Sequence, residues 1–353
     1  MIDDDVFVID AVAHGYNYHA GNQVEPRYAQ VAVGQLYGLA AQFVPDGFLL
    51  PLDRWVHGAD PDLVGSALFG ESATDYAIYH EVPMFGVFTD GGSPAWVGAE
   101  MRKRWPGRVG IYAGVSPFLP DAVGQVDRAV EELGAIGLKL YPFDLVEGRT
   151  AQFSMGDPEI AYPIYQRALE RGIKNIAVHK ALPLGPVPLD PFRVGDVESA
   201  AAAFPDLMFQ IVHGGMAFVE ETAMLLGRFS NVCVNLEGTM VLATKAPLQF
   251  ATIIGSFLQY GAEDRIMWAT GCMGVHPKPF IDAFWAMDMP QLLMDGYGLP
   301  PLTKDIKRKV LGLNAARICG IDIPAVQALT ASDEFAALDP PRPAWSGQVG
   351  AAT

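Results

Sequence analysis

The sequence has few cysteines, few basic residues and no long apolar run. Its three cysteines, Cys233, Cys272 and Cys319, are far apart, so neither a disulfide framework nor a Cys-x-x-Cys zinc site is predicted, and a reducing, cytoplasmic compartment is expected. With 40 acidic and 24 basic residues, the net charge of −16 argues against a nucleic-acid or anionic-membrane surface. No run approaches the roughly 20 apolar residues that span a bilayer. The acidic N-terminus also lacks the basic residues of a secretory signal.

Short apolar runs alternate with amphipathic stretches along most of the 353 residues. The runs predict strands over residues 6–12, 83–89, 108–114, 136–141, 174–179, 207–213, 231–236 and 265–270. The stretches between them predict helices, among them 121–134, 158–172, 195–203, 217–228 and 246–260. Eight strands that alternate with helices predict a (β/α)₈ TIM barrel, an α/β fold. We place this barrel in residues 1–320, with a closing helix over 303–320.

Two segments lie outside the barrel pattern. An insertion over about residues 15–80 follows the first strand and is rich in aromatic residues, so it is expected to cover the barrel mouth. The tail, 321–353, contains Asp339-Pro340-Pro341-Arg342-Pro343 and is predicted to be an extended C-terminal arm. Such arms often pack on a neighbouring subunit, and the alternative is a disordered end.

Histidines lie at the ends of three predicted strands. His14 closes the first, His179 the fifth and His213 the sixth. Reactive groups of such barrels sit at the C-terminal ends of the strands, and imidazoles with carboxylates that converge there suit a metal ion. The last strand ends in Gly271 rather than an acid, whereas Glu237 ends the seventh. A buried carboxylate is costly unless it is paired or metal-bound, so Glu237 is a candidate ligand.

Several motifs occur in a characteristic order along the chain. They are Gly137-Leu138-Lys139-Leu140-Tyr141-Pro142, Phe204-Pro205-Asp206-Leu207, His213-Gly214-Gly215, Gly261-Ala262-Glu263-Asp264-Arg265-Ile266 and Leu311-Gly312-Leu313-Asn314-Ala315-Ala316-Arg317. In this order they resemble the amidohydrolase superfamily, specifically its aminocarboxymuconate-semialdehyde decarboxylase-like branch, over about residues 1–320. The resemblance implies a TIM barrel and a metal-dependent enzyme.

The chain departs from that family at three positions. The family's first strand carries Asp-x-His-x-His, but here Asp10-Ala11-Val12-Ala13-His14 places a valine, which cannot coordinate, at one ligand position. The family's eighth strand ends in an aspartate that binds metal and handles the proton of the bound water, but here Gly271 stands in its place. Glu237 occupies a position where the family usually has a small hydroxyl residue. Two usual ligands are therefore absent and one carboxylate is gained.

The candidate metal ligands are His179 and His213, which the resemblance implies, together with His14 and Glu237 from their strand-end positions; His213 and Glu237 are also the candidate catalytic groups. The alternatives are a contact with the insertion for His14, water-orienting donors for His179 and His213, and a salt bridge for Glu237.

Lys139 and His276 are further candidate metal ligands. Some amidohydrolases carboxylate a lysine of the fourth strand so that it bridges two metals, although a structural or substrate-binding role is commoner in this branch. His276, in the loop after the eighth strand, is a candidate replacement for the missing aspartate, and the alternative is an ordinary polar loop residue. His19, His57 and His80 belong to no motif and are interpreted as surface or insertion residues.

The mixed imidazole and carboxylate set suits iron or manganese, in one or two sites, with zinc as the alternative. A few atypical members of the superfamily are dinuclear non-haem hydroxylases, and one type hydroxylates 2-aminoisobutyric acid as a complex of two related subunits. We therefore predict O₂-dependent hydroxylation of a small amino acid or carboxylate. One alternative is a metal-dependent hydrolase or non-oxidative decarboxylase. A second is a non-catalytic partner subunit of a homologous barrel. An oligomer, homomeric or with a homologous subunit, is expected.

Overall fold

Eight parallel strands form a barrel in this computed structural model, which describes residues 2–3, 5–338 and 341–346. The strands of the described residues are β1 (Ile9–Ala13), β2 (Tyr76–His80), β3 (Val109–Gly114), β4 (Gly137–Leu140), β5 (Phe143–Val146), β6 (Arg149–Gln152), β7 (Asn175–His179), β8 (Met208–Val212), β9 (Val232–Asn235) and β10 (Ile266–Met267). The barrel order is β1-β2-β3-β4-β7-β8-β9-β10. Backbone hydrogen bonds from Ala11 to Trp268 and from Gly271 to Val12 join the last strand to the first. The predicted (β/α)₈ fold is confirmed.

Helices follow the barrel strands and cover the outside of the sheet. The α-helices span Pro26–Phe43, Leu52–Trp55, Pro61–Gly65, Ala95–Arg104, Ala122–Glu131, Ala161–Glu170, Val197–Ala203, Val219–Arg228, Leu242–Lys245, Pro247–Gln259, Lys278–Ala286, Gln291–Tyr297, Lys304–Arg308, Asn314–Cys319 and Ile323–Thr330. Short 3₁₀ turns lie at Ala20–Asn22, Asp190–Phe192 and Thr239–Val241, and π turns at Ser66–Gly70 and Lys309–Leu313. Within the described ranges, none of these helices has both the length and the apolar character that crossing a bilayer requires.

The second barrel strand lies at Tyr76–His80, so its predicted position at 83–89 is wrong. The predicted segment contains Pro83, which has no backbone N–H to donate to a sheet. It also contains Gly86, where an added Cβ would lie only 1.6 Å from the carbonyl oxygen of Leu145. The segment is therefore an apolar loop pressed against the β5–β6 hairpin. The insertion after β1 consequently ends at residue 75.

The insertion and the β5–β6 hairpin pack over the C-terminal ends of the barrel strands. Within the insertion, Trp55 is fully buried and donates its indole N–H to the carbonyl of Gly274, in the loop after β10, at 3.0 Å. Glu147 and Gly148 connect the hairpin strands with φ angles of 51° and 71°, which the tightest hairpin turns require. These contacts hold aromatic side chains above the barrel, as the sequence predicts for the insertion.

The segment after residue 321 folds back onto its own barrel. It begins with the helix Ile323–Thr330. Asp333 forms an ion pair with Arg108, and Glu334 accepts a hydrogen bond from the indole of Trp105 at 2.7 Å. Trp345 is buried and its backbone N–H donates to Glu71 at 2.6 Å. The described part of the predicted arm thus packs on the same chain, while Asp339 and Pro340 of the proline-rich motif lie outside the described residues.

Candidate active site

Four predicted site residues meet at the C-terminal end of the barrel. His14 follows β1, His179 ends β7, His213 follows β8 and Glu237 follows β9. All four are buried. The Nε2 atom of His213 lies 3.0 Å from Nδ1 of His179, and the carboxylate of Glu237 lies 3.5 Å from Nε2 of His14 and 3.5 Å from Nδ1 of His213. The strand-end positions therefore bring these groups together as the sequence predicts.

Backbone carbonyls fix the tautomer of each of the three histidines. Nδ1 of His14 lies 2.8 Å from the carbonyl of His80, Nε2 of His179 lies 2.8 Å from that of Leu182, and Nδ1 of His213 lies 3.0 Å from that of Glu237. A carbonyl only accepts, so each of these nitrogens carries a hydrogen. In a neutral ring the opposite nitrogen then has a free lone pair, which is the arrangement typical of metal-binding histidines.

The free lone pairs face one another or face the carboxylate. Burial lowers the pKa of His213 to about 4 and that of His179 well below its usual range, so both rings are neutral near pH 7. Burial opposes ionisation of Glu237, but His213, His14 and Lys139 outweigh it and hold the pKa of Glu237 well below its usual range. One oxygen of Glu237, Oε2, has no hydrogen-bond partner among the described residues. The cluster is thus rich in electron pairs and poor in hydrogens.

This donor chemistry fits a divalent cation. Neutral imidazoles and carboxylates are the ligands that zinc, manganese and iron accept. The side chains meet in pairs, however, and in the described part of the chain no group of three or more His, Cys, Asp or Glu stands ready to hold a metal ion. The 3.0 Å between the facing nitrogens of His179 and His213 leaves two lone pairs opposed, which a shared cation would relieve. We therefore treat these four residues as a candidate metal centre on the strength of their lone pairs.

Glu237 occupies the space beside Gly271. A Cβ added at Gly271 would lie 2.7 Å from Oε1 of Glu237, and the φ of +69° at Gly271 also favours glycine. A side chain at position 271 would therefore require the carboxylate of Glu237 to shift from the position it has here.

Asp10 joins the first strand of the barrel to the segment that follows the last strand. It is fully buried on β1, and it accepts hydrogen bonds from the backbone N–H of Thr270 at 2.9 Å and from the Thr270 hydroxyl. Burial raises the pKa of Asp10 to about 7. In this structure Asp10 therefore makes a structural contact with the segment after the last strand.

Lys139 lies on β4 next to the cluster but makes no ion pair or hydrogen bond among the described residues. Its side chain is buried, and its ammonium lies 5.4 Å from the ring centre of Tyr141. Burial lowers the pKa of Lys139 to about 8, with the charge of Glu237 opposing this. Lys139 therefore remains largely protonated at neutral pH and offsets the negative charge of Glu237.

His276 lies in the loop after the last strand as predicted but away from the other candidates, and His80 is not the surface or insertion residue that the sequence suggested. His276 is not brought to the other candidates: its Nε2 pairs with Glu71 at 3.1 Å, and its ring packs against Trp345. His80, interpreted from the sequence as a surface or insertion residue, is fully buried at the end of β2 and stacks on Tyr112 at 4.6 Å. The misplaced second strand explains this error, because a strand over 76–80 makes His80 a strand-end histidine.

An aromatic cavity of about 110 Å³ adjoins the cluster. It is lined by Tyr16, Tyr18, Tyr28, Trp55, Phe88, Tyr141, Phe143 and Phe192, together with aliphatic residues and with His179, His213 and Glu237. The insertion supplies Tyr16, Tyr18, Tyr28 and Trp55. This cavity suits a small molecule with an apolar body whose polar end reaches the histidines and the glutamate.

A sequence model described as amidohydrolase matches residues 65–321 of this chain. The chain belongs to the amidohydrolase family. Among curated protein sequences, none matches it. The family membership confirms the resemblance drawn from the strand-end motifs.

Solved structures with the same fold include other amidohydrolase-like barrels of low identity. An uncharacterised TIM-barrel protein from Bordetella bronchiseptica is 16% identical over 89% of this chain and 99% of its own, with a TM-score of 0.63. A 5-carboxyvanillate decarboxylase from Novosphingobium aromaticivorans, with bound manganese and a nitrobenzoic acid, is 15% identical over 90% of this chain and 97% of its own, with a TM-score of 0.55. A putative metal-dependent hydrolase from Lactobacillus casei is 13% identical over 90% of this chain and 96% of its own, with a TM-score of 0.53.

At these identities the solved structures establish the fold of the amidohydrolase and not its substrate. Those with a described activity are decarboxylases or hydrolases, and the predicted hydroxylation gains no support from them. The alternative prediction, a metal-dependent hydrolase or non-oxidative decarboxylase, agrees better with these comparisons.

Proposed function

We propose that this amidohydrolase is a divalent-metal-dependent, non-oxidative decarboxylase of a small carboxylate with an apolar body. The observation that carries the proposal is that His179, His213 and Glu237 line the aromatic cavity. The facing nitrogens of the two histidines and one oxygen of Glu237 have lone pairs to which no hydrogen is donated. The decarboxylases of the same fold support this choice, one of them having manganese and a benzoic acid bound.

A divalent cation held by His14, His179, His213 and Glu237 would supply Lewis-acid polarisation of a substrate oxygen. The chain's own residues supply the surroundings. The apolar wall excludes water from the substrate carboxylate, which favours loss of CO₂ over retention of a solvated anion. The carbon needs a proton once CO₂ has left, and a water molecule would supply it: Glu237, which lines the cavity with Oε2 unpartnered, can pass that proton to the carbon while the hydroxide leaves to solvent.

Hydrolysis is the second candidate. The ionised Glu237, with one oxygen unpartnered, is suited to accept a proton from an attacking water molecule. This role would replace that of the absent aspartate at position 271. Esters or lactones of the same apolar acids would then be substrates.

The test is turnover of manganese-loaded protein under anaerobic conditions, with a panel of aromatic and branched aliphatic carboxylates and their esters. We expect CO₂ release without O₂, lost in Glu237→Gln and retained in Glu220→Gln, an exposed glutamate on a helix of the outer layer. Ester cleavage without CO₂ would favour hydrolysis. Strict dependence on O₂ with stoichiometric O₂ uptake would overturn the proposal in favour of hydroxylation. A metal-free, inactive chain that copurifies with a homologous barrel would identify a partner subunit.

A further inference from the structure

His80, at the end of β2, is a fully buried histidine whose ring nitrogens are not hydrogen-bonded within the described residues. The carbonyl of Ala11, on β1, acts on the ring without meeting the geometry of a hydrogen bond to either nitrogen. Burying a polar group without a partner is unfavourable, and buried imidazoles are therefore normally hydrogen-bonded or bound to a metal. The surroundings of His80 are thus those of a group that binds something other than another side chain.

Other unpartnered atoms lie at the same end of the barrel. In the part of the chain that the structure describes, ten buried side-chain nitrogen and oxygen atoms have no hydrogen-bond partner, and five of these belong to His80, Asn235 and Glu237. Asn235 ends β9, and Glu237 follows it two residues later. Because the C-terminal ends of parallel strands meet at one face of a barrel, these atoms are concentrated around the candidate metal centre.

His80 lies beside His14, the candidate ligand from the first strand. β1 and β2 are adjacent in the barrel, and Nδ1 of His14 donates to the carbonyl of His80 at 2.8 Å. The two rings are nearly perpendicular, with centres 6.3 Å apart. With metal–nitrogen bonds of about 2.1 Å, the centres of two imidazole rings on one cation are at most about 6.5 Å apart. The spacing therefore allows both rings to bind one cation, on well-separated sides of it.

Stacking on Tyr112 holds the ring of His80 in place. The two ring centres are 4.6 Å apart and the ring planes differ by 20°. Tyr112 is itself fixed, because its hydroxyl accepts a hydrogen bond from the side-chain amide of Gln210 at 2.6 Å. A side chain whose position is set by packing and by a second layer of hydrogen bonds is preorganised for a ligand.

We infer that His80 is a further ligand of the metal centre formed by His14, His179, His213 and Glu237. Val12, on β1, has no donor atom at the position where the family has a ligand, and His80 supplies an imidazole from the adjacent strand. The inference rests on the proposed function only through the metal centre, which both require, and it does not depend on the reaction that the centre catalyses.

Mn²⁺ binding, followed by electron paramagnetic resonance, tests the inference in the wild-type protein, His80→Gln and His276→Gln. His276 is the matched control, since it is a fully buried histidine whose ring pairs with Glu71 instead. We expect Mn²⁺ affinity to fall at least tenfold in His80→Gln and to stay unchanged in His276→Gln. Equal affinity in His80→Gln and the wild-type protein would overturn the inference and would indicate a buried water molecule as the partner of the ring.

A second measurement uses the wild-type protein and so does not depend on the folding of a variant. Histidine labelled with ¹⁵N in the ring gives nuclear magnetic resonance signals for the seven histidines of the chain. A ring nitrogen that binds ¹¹³Cd²⁺ shows a splitting from the metal nucleus, which a nitrogen that is merely close to the metal does not show. We expect this splitting in four histidines: His14, His80, His179 and His213. Splitting in three or fewer would contradict the assignment of His80.

Failure of this inference can be distinguished from failure of the proposed function, because metal binding does not require turnover. Release of CO₂ by manganese-loaded protein, combined with equal Mn²⁺ affinity in His80→Gln, contradicts this inference alone. Mn²⁺ binding that depends on His80, without CO₂ release from any carboxylate of the panel, contradicts the catalytic proposal alone. Absence of Mn²⁺ binding by the wild-type protein contradicts both.

Discussion

Glu237 and Gly271 together define the chemistry of the site at the scale of single residues. The carboxylate of Glu237 lies where a Cβ at position 271 would be placed, because the Cβ to Oε1 distance would be 2.7 Å. Two sequence departures that look independent are therefore coupled in space.

Gly271→Ala tests this coupling. The residue keeps φ near +69° and the methyl group displaces the end of the Glu237 side chain, so we expect a loss of about 2 kcal/mol in the free energy of unfolding. In a Glu237→Ala background there is no carboxylate to displace, and only the backbone cost of about 1 kcal/mol remains. Urea denaturation of the four proteins of this double-mutant cycle measures the difference. Equal costs in both backgrounds would contradict the coupling between Gly271 and Glu237.

The convergence of the candidate ligands was predictable from the sequence, but their hydrogen bonding was not. His14, His179 and His213 each end a strand, and parallel strand ends meet at one face of a barrel. The tautomers depend on carbonyls such as that of Leu182, which belongs to a loop without a periodic pattern. His213 also has a φ of +59°, a conformation that no local pattern indicates.

At the scale of elements, regular periodicity predicted most strands and long helices, and irregular segments produced the errors. The segment 83–89 is as apolar as a strand, but it is buried as a loop because the insertion and the β5–β6 hairpin cover it. The hairpin itself was missed, since its second strand, Arg149–Gln152, is polar and largely exposed. Composition alone does not distinguish a buried loop from a strand.

The segment after residue 330 is attached to the barrel through Arg108. This guanidinium is buried and its carboxylate partner is Asp333. Asp333→Ala leaves the buried charge without a carboxylate, so we expect a loss of about 3 kcal/mol in the free energy of unfolding. Asp282→Ala removes the exposed partner of Lys278 and should cost less than about 1 kcal/mol. Chemical denaturation compares them, and similar small costs would show that this attachment contributes little.

At the scale of the whole molecule, buried acids make the stability depend on pH. Burial raises the pKa of Glu81 to about 7, with the Gly114 N–H partly opposing this at 2.7 Å. The folded protein therefore holds this proton more tightly than the unfolded chain. The stability that Glu81 contributes is complete below its ordinary pKa near 4.5 and is lost as the pH rises towards 7.

Glu81→Gln should remove this part of the pH dependence. A shift of this size corresponds to about 3 kcal/mol between pH 4.5 and 7, so the variant should lose less stability than the wild-type protein over that range. The glutamine retains an acceptor for Gly114. Unfolding free energies measured at several pH values provide the test, with Glu220→Gln as the control. Parallel profiles for Glu81→Gln and wild type would show that Glu81 is ionised in the folded protein.

The amidohydrolase barrel itself was predictable from the sequence, because eight buried strands and their helices repeat with a clear period. The cavity was predictable only in outline. Its aromatic wall comes from Tyr16, Tyr18 and Trp55 of the insertion and from Tyr141 and Phe143 beyond β4. Contacts between segments so distant in the chain are set by tertiary packing, which the local pattern does not encode.

The measurement that tests the central claim most directly is Mn²⁺ binding, followed by electron paramagnetic resonance, in the wild-type protein, Glu237→Gln and Glu220→Gln. The account predicts at least one tightly bound Mn²⁺ per wild-type chain, with unchanged affinity in Glu220→Gln. It predicts affinity reduced at least tenfold in Glu237→Gln, because the ionised ligand of the set is lost. Absence of Mn²⁺ binding by the wild-type protein, or equal binding by Glu237→Gln, would contradict the assignment of a metal centre to His14, His179, His213 and Glu237.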